Sequence, residues 1–369
     1  EYVKRKLTGE YEIDKRLEDI LKPTLGIITF QEQLMKISIV MAKFSPLDAN
    51  EIRSAVGKKN KEKMESYKDK FINQSIENGY DKEFVIQTWQ TFEDSGSYLF
   101  PAGHAAGYGC LTAITTWLKI KYPLQYFLSM LEYAKHESSP LTEISKIHRE
   151  ISEFNIKLLP PSLTKSKLEF TIEGNDIRFS LGSIKGVGTK ILEKFNNFKR
   201  EYANKFELFQ CAKQAGLNVG ITSSLIQAGC MESLGKNRVL MTYEALLWNK
   251  LSDKEKGHCL IHGSAFEFRL PTLVKAMTET LKDEKGKPLI KASRLATIKK
   301  VTTKYKEIYE QNKESLDLAN HHYESSLLGF VFSKKLIDIY HPKKSDLVPI
   351  NEVIESDPNT KVSFVGKVG

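Results

Sequence analysis

Gly26-Ile-Ile-Thr-Phe-Gln-Glu-Gln-Leu-Met-Lys-Ile-Ser-Ile-Val-Met-Ala-Lys-Phe44 opens as a short apolar, strand-like run and then changes period. Leu34, Ile37, Val40 and Met41 recur at helical spacing, which predicts a helix ending near Lys43. Ser45-Pro46-Leu47-Asp48 then puts proline and a carboxylate into a first helical turn, where a missing N–H costs nothing and negative charge meets the helix dipole. A second helix is expected over about 47–56, stopped by Gly57.

The helical pattern continues outward. Helices are expected over about 61–78, 82–94 (capped by Asp81), from His104 to about Tyr122, and over 124–135 and 141–154. The character changes at Pro160-Pro161. Residues 168–172 and 177–181 read as short strands around Gly174-Asn175, a hairpin signal. Helices resume to about Trp248, and residues 252–290, rich in Gly, Lys and Pro, suggest a surface insertion or loop-rich junction. Residues 291–326 return to helix, and 348–353 and 362–368 are candidate strands. The fold class is mainly α with small β elements.

A length of 369 residues exceeds one typical domain, and 41% hydrophobic with 10% aromatic residues is the composition of a folded, soluble globular protein. The formal net charge of +9 favours a polyanionic partner, although charge alone also fits many proteins that bind no nucleic acid. Cys110, Cys211, Cys230 and Cys259 show no CxxC spacing, so neither a disulfide framework nor a four-cysteine zinc site is indicated, and a reducing, cytoplasmic setting fits. No apolar run is long enough to span a membrane. The start at Glu1 and the stop just after the alternating run near residue 366 are those expected of a fragment or of one half of a split protein.

Several residues could carry chemistry. Arg53 lies about one turn before Gly57-Lys58-Lys59, so its guanidinium could join the lysines in a positive pocket for phosphates. Between Arg53 and Lys70 there are seven basic and three acidic residues; a Lys-rich run of this kind, taken alone, is more often a solvated face. His104 sits at a helix start among small residues, as a ligand contact or a structural hydrogen-bonder. Ile184-Lys185-Gly186-Val187-Gly188 before an amphipathic helix reads as the hairpin of a helix-hairpin-helix element, where glycines let the backbone approach a phosphate, or as a plain turn. His258 and His262 have ligand spacing, but Gly257 and Gly263 argue against a helix and no acidic third ligand is near, so no metal site is assigned; His321-His322 reads as a polar helix face.

Taken in order, Gly26 to Met35, Arg53-Ser-Ala-Val-Gly-Lys-Lys59, Phe100-Pro-Ala-Gly-His-Ala-Ala-Gly-Tyr108, Thr116-Trp-Leu-Lys-Ile-Lys-Tyr-Pro123, Leu158-Leu-Pro-Pro161 and Phe179-Ser-Leu-Gly-Ser-Ile-Lys-Gly-Val-Gly188 form a series that resembles the bacterial DNA polymerase III alpha subunit, the C-family replicative polymerase. The stretch from Leu225 through Gly229 to Asn237-Arg238 resembles that family's second helix-hairpin-helix half.

The resemblance implies a palm–fingers connection over 1–19, a helical fingers domain over 20–135, a linker hairpin and tandem helix-hairpin-helix duplex-binding region over 136–240, a helical region with a loop-rich insertion over 241–326, and the start of an OB-fold over 327–369. It implies a role in DNA replication as part of a DNA-directed DNA polymerase, a nucleotidyltransferase, whose metal-binding palm aspartates lie upstream. This chain would then hold no catalytic residue and be inactive alone, with Mg2+ held by the palm.

By the same resemblance Arg53, Lys58, Lys59, His104 and Tyr108 face the incoming dNTP, Gln31, Glu32 and Gln33 lie at the palm–fingers junction, and Lys185, Gly186, Val187, Gly188 and Lys190 contact the DNA backbone. Partners would be primer-template DNA, dNTP, a palm-bearing polypeptide and the sliding clamp, although no Gln-x-x-Leu-Phe-like clamp peptide follows the hairpins. The family's usual lysine between Phe100 and His104 is absent, with Ala102-Gly103 in its place. Divergence and Lys-, Asn- and Ile-rich composition suggest a phage or Gram-positive-related source. A non-catalytic DNA-binding protein that keeps a polymerase-derived fold is the alternative.

Overall fold

The opening stretch forms one short connection and one helix. In the computed structural model, which describes residues 1–58, 60–95, 98–188, 194–195, 198, 200–340, 347–348, 352–353 and 360–366, residues 22–24 close a 3-10 turn and Gln31–Ala42 forms a helix (α3). The strand-like reading before it is corrected: Phe30 makes only a single parallel bridge, to Phe100. Apolarity there marks partial burial beside α3, not membership of a sheet. Lys43 ends the helix in the left-handed region at φ 55°, as the loss of apolar spacing implied.

The first compact unit covers Glu1–Leu118. It contains α1 (Tyr2–Thr8), α2 (Glu18–Leu21), α3, α4 (Pro46–Gly57), α5 (Lys61–Glu77), α6 (Lys82–Ser95) and most of α7 (Ala102–Lys121). Ser45 caps α4 by accepting from the Asp48 N–H at 3.1 Å, and Asp81 accepts from the first-turn N–H groups of Glu83 and Phe84 in α6. Helices α3, α4, α5 and α6 pack round Phe44, Phe71, Trp89 and Phe92, with Phe71 5.4 Å from Trp89 and 5.5 Å from Phe92 between ring centres. Burying each such ring stabilises the unit by roughly 1.5–3 kcal/mol. No residue of α7 is buried.

The second unit covers Lys119–Gly369. It opens with α8 (Pro123–Ala134) and α9 (Pro140–Ile151), whose inner face buries Ile144, Ile147 and Ile151. The expected hairpin is present with shorter strands: β2 (Thr171–Glu173) pairs antiparallel with β3 (Asp176–Arg178), and β1 (Leu158–Leu159) pairs parallel with β3, in the order β1-β3-β2. Gly174 makes the turn at φ 65°, where a Cβ would be strained. Then come α10 (Lys205–Gln214), α11 (Val219–Gln227), α12 (Arg238–Trp248), α13 (Asp253–His262), α14 (Leu270–Glu279), α15 (Ala292–Asn312), α16 (Leu316–Leu328) and α17 (Leu336–Tyr340).

Two expectations change here. Residues 252–290 are largely helical, because Ser252 and Glu255 form a reciprocal capping box and Pro271 sits in the first turn of α14. Gly257 therefore lies inside a helix together with His258 and His262, contrary to the reading from its glycines; burial of Cys259 against Met277 fixes that helix despite them. Past Leu327, where the start of an OB-fold was expected, α17 is helical. Of the two candidate strands, residues 349–351 and 367–368 lie outside the described residues; residues 352–353 are helical, and the pairing seen there is one bridge between Leu347 and Ser363.

Candidate functional site

Gln31, Glu32 and Gln33 occupy the first turn of α3, and each reaches a different segment, since successive helical residues point about 100° apart. Phe30 has no side-chain acceptor with which to cap the helix. Gln33 supplies the missing half: its Oε1 accepts from the N–H groups of Thr29 and Phe30, both at 2.9 Å, while its Nε2 donates to the Ile20 carbonyl at 2.9 Å and to Thr24 Oγ1 at 2.6 Å. Every polar group of this buried amide is used. Glu32 Oε2 accepts from the Ala102 N–H at 2.9 Å, placing a carboxylate at the positive end of the 20-residue α7. That is why α7 begins at Ala102 and not at His104.

Gln31 joins two elements. Its Nε2 donates to the Leu99 carbonyl at 3.1 Å and its Oε1 accepts from Arg53 Nη1 at 3.0 Å, while its backbone N–H donates to the Phe100 carbonyl at 3.1 Å. Arg53 Nε donates to Asn50 Oδ1 at 3.0 Å. Two of the five guanidinium donors are engaged in positioning it, and the remaining N–H groups have no protein acceptor among the described residues. Sequence reading found Arg53 but missed Asn50, whose i, i+3 spacing on α4 was the available signal.

The other basic residues divide. Lys58 follows α4 and is exposed, whereas Lys59 lies outside the described residues. Lys63 pairs with Glu51, Lys68 with Glu93 at 3.5 Å, and Lys70 with Asp48 at 3.3 Å. Much of the positive run is therefore a paired, solvated face, and Arg53 and Lys58 are the candidates left for a ligand among the members whose side chains are described.

His104 and Tyr108 belong to a column of rings. Phe100 lies 5.1 Å from His104, and His104 lies 4.4 Å from Tyr108, along one face of the start of α7. Phe100 and Tyr108 are 47% and 60% exposed, so the column presents aromatic surface to solvent. Sequence reading missed Phe100 as its first member, although 100, 104 and 108 repeat at i, i+4.

In the second unit, the hairpin at 181–188 is anchored by its apolar members. Ile184 and Val187 are buried, and Lys185, Gly186 and Gly188 are exposed. The Lys185 N–H donates to the Leu327 carbonyl at 3.0 Å and the Val187 N–H to the Ile184 carbonyl at 2.9 Å. The Val187 side chain is thus a core anchor, and its amide has an internal acceptor. The N–H groups of Gly186 and Gly188 have no protein acceptor among the described residues, and a Cβ at Gly188 would meet nothing within 4 Å. That open approach is what a phosphate oxygen requires. Lys190 lies outside the described residues. A cavity of about 470 Å³ opens between residues 182–188 and residues 139–142.

The second hairpin is locked by a buried cation. Gly229, at φ 84°, lies against the Arg238 guanidinium, where an added Cβ would stand 2.5 Å from Nη2. Arg238 bonds Glu232 Oε1, the Gln227 carbonyl at 3.2 Å and Glu324 Oε1 at 2.6 Å, and Glu324 Oε2 in turn accepts from the N–H groups of Phe332 and Ser333. Burial opposes the charge on Arg238, but its two carboxylate partners outweigh it and hold the guanidinium above its usual value. Among the described residues no group of three His, Cys, Asp or Glu side chains could hold a metal ion, and no helix is long and apolar enough to cross a membrane.

The comparisons agree with this geometry. Residues 1–79 match the model of the bacterial DNA polymerase III alpha subunit finger domain, and residues 155–241 match a helix-hairpin-helix motif. The chain is 34% identical over 244 residues to the DNA polymerase III subunit alpha of Aquifex aeolicus, covering 64% of this chain and 21% of that protein. It is 31% identical over 249 residues to that of Chlamydia pneumoniae (63% and 19%) and 30% identical over 272 residues to that of Thermus aquaticus (71% and 22%). The chain spans about a fifth of the length of these curated relatives. It is related to the bacterial DNA polymerase III alpha subunit through a finger region and a helix-hairpin-helix region.

Proposed function

We propose that this chain supplies the fingers and the duplex-binding region of a template-directed DNA polymerase acting in DNA replication. The observation that carries the reading is the locking of Arg53 to the start of α7 through Gln31, with further guanidinium donors left open. A cation held in place before the ligand arrives stabilises developing phosphate charge without a reorganisation cost. Arg53, Lys58 and Lys59 then face the phosphates of the incoming dNTP, and His104 and Tyr108 line the same side. Glu32 and Gln33 hold the junction. Gly186, Gly188, Lys185 and Lys190 meet the duplex backbone, contacts that position DNA without reading its sequence.

Among the described residues no group of three carboxylate, His or Cys side chains could hold Mg2+. The Mg2+ that polymerases use, and the aspartates that bind it, belong in this reading to a palm outside residues 1–369, in the same protein or in a partner polypeptide. Primer-template DNA and dNTP are the ligands.

Fluorescence anisotropy of a labelled primed duplex tests the reading. Binding that weakens steeply as salt rises is expected, and a folded chain that gives no salt-dependent signal at low salt would overturn it. Adding the palm-bearing polypeptide separates the polymerase reading from a DNA-binding protein with a polymerase-derived fold, since only the former gives primer extension.

A further inference from the structure

Between Lys282 and Lys306 lie nine basic and two acidic residues, a balance of +7 against +9 for the whole chain. This concentration lies beyond the helix-hairpin-helix match at 155–241 and none of the assigned contacts uses it. The eight lysines in the stretch are exposed and make no ion pair among the described residues. Pairing resumes at both margins, with Lys275 to Glu279 at 3.9 Å and Lys313 to Glu310 at 2.5 Å.

The scaffold beneath them is fixed. On α15, Ile298 and Thr302 are buried, Arg294 makes a two-pronged pair with Glu255 at 2.8 and 3.0 Å, and Tyr309 stacks on Tyr243 of α12 at 5.4 Å. The turn before it is clamped by Asp283, which accepts from the N–H groups of Lys285 and Lys287 at 3.0 and 2.9 Å. Lys300 and Lys304 stand at i, i+4 on the outer face, an arrangement that destabilises a helix unless a counter-charge is supplied. From Lys291 to Lys306 the helix extends about 22 Å, the reach of about six base pairs along one strand.

We propose that the turn at 282–291 and the outer face of α15 form a second DNA-backbone surface, separate from the hairpin at 181–188, which binds duplex phosphates. The choice of DNA over an acidic protein rests on the polymerase reading above. Exposed ammonium groups without ion pairs on a fixed helix, Lys300 and Lys304 on its outer face and Lys299 and Lys306 beside Glu307 and Glu310 at the groove towards α14, gain from releasing the counterions condensed on a duplex, and they carry no device for reading bases.

The test is the salt dependence of duplex binding by the full 369-residue chain, with Lys299→Gln, Lys300→Gln, Lys304→Gln and Lys306→Gln combined and with Gly188→Ala alone. The fourfold variant is expected to keep its helical circular dichroism, to bind about tenfold more weakly or worse, and to lose about three to four units of the slope of log K against log salt. An unchanged slope in a natively folded variant overturns the proposal. If Gly188→Ala weakens binding while the fourfold variant binds like the parent, the polymerase reading stands and this surface falls. If the parent chain shows no salt-dependent duplex binding, both fall; tighter binding to polyglutamate than to the duplex assigns the surface to an acidic protein and overturns it too.

Discussion

Arg53 Nη1 donates to Gln31 Oε1 at 3.0 Å across 22 residues of chain, and the same Gln31 side chain donates to the Leu99 carbonyl just before α7. One amide thus sets the guanidinium and the start of the aromatic helix in a common frame. Replacing Gln31 with alanine leaves the charge on Arg53 but removes its orientation. In the polymerase that contains this chain, Gln31→Ala is expected to raise KM for dNTP about three- to tenfold, and Gln31→Glu, which keeps the acceptor for Arg53 but loses the donor to the Leu99 carbonyl, is expected not to restore it; steady-state primer extension measures both. Equal KM values for Gln31→Ala and the parent would contradict the positioning role.

Glu32 supports α7 from outside the helix, through the Ala102 N–H. Glu32→Ala should cost about 1 kcal/mol of stability, read as a lower urea midpoint, with Glu32→Gln recovering part of it because the acceptor is kept and the charge lost.

Two glycines should respond in opposite ways. At Gly229 a methyl group would collide with the buried Arg238 guanidinium and must also adopt φ 84°, so Gly229→Ala should unfold or severely destabilise the second unit. Gly188 has open space around it, so Gly188→Ala should melt within a few degrees of the parent yet bind duplex DNA more weakly. Thermal melts and anisotropy separate the two outcomes.

Asp48 makes one pH prediction. The Ser45 hydroxyl and, behind it, Lys70 hold its carboxyl below the ordinary aspartate value. A folded pKa below the unfolded one means a contribution that is present above about pH 4 and lost as pH falls through the folded value. Asp48→Asn should therefore flatten the acid side of the stability profile and leave the neutral-to-alkaline side parallel to the parent, which urea titrations across pH 2–7 would show.

Helix periodicity made α3 to α6, α8 and α9 legible to within a few residues, because each carries a buried apolar stripe, with chemical start or stop signals such as Ser45, Gly57 or Asp81. It failed where tertiary contacts override local signals. The apolar run before Gln31 looked like strand because it is partly buried, and Gly257 looked like a helix breaker although Cys259 and a capping box hold α13 together. At the site, charge and order singled out Arg53, yet nothing local could tell that Gln31 holds it. The partners of Lys63, Lys68 and Lys70, which are Glu51, Glu93 and Asp48, are brought near by folding, and no local signal in the charge run named them. Val187 stood among the DNA contacts by position, and its burial, which spacing alone does not show, makes its side chain an anchor.

The most direct test of the central claim is the KM for dNTP in primer extension by the polymerase containing this chain, with Arg53→Ala compared against the parent at saturating primer-template. The account predicts a rise of about tenfold or more, with the affinity for primed duplex unchanged, since a charge-assisted phosphate contact is worth about 1.5–3 kcal/mol. An unchanged KM in a folded, DNA-binding Arg53→Ala enzyme would contradict it.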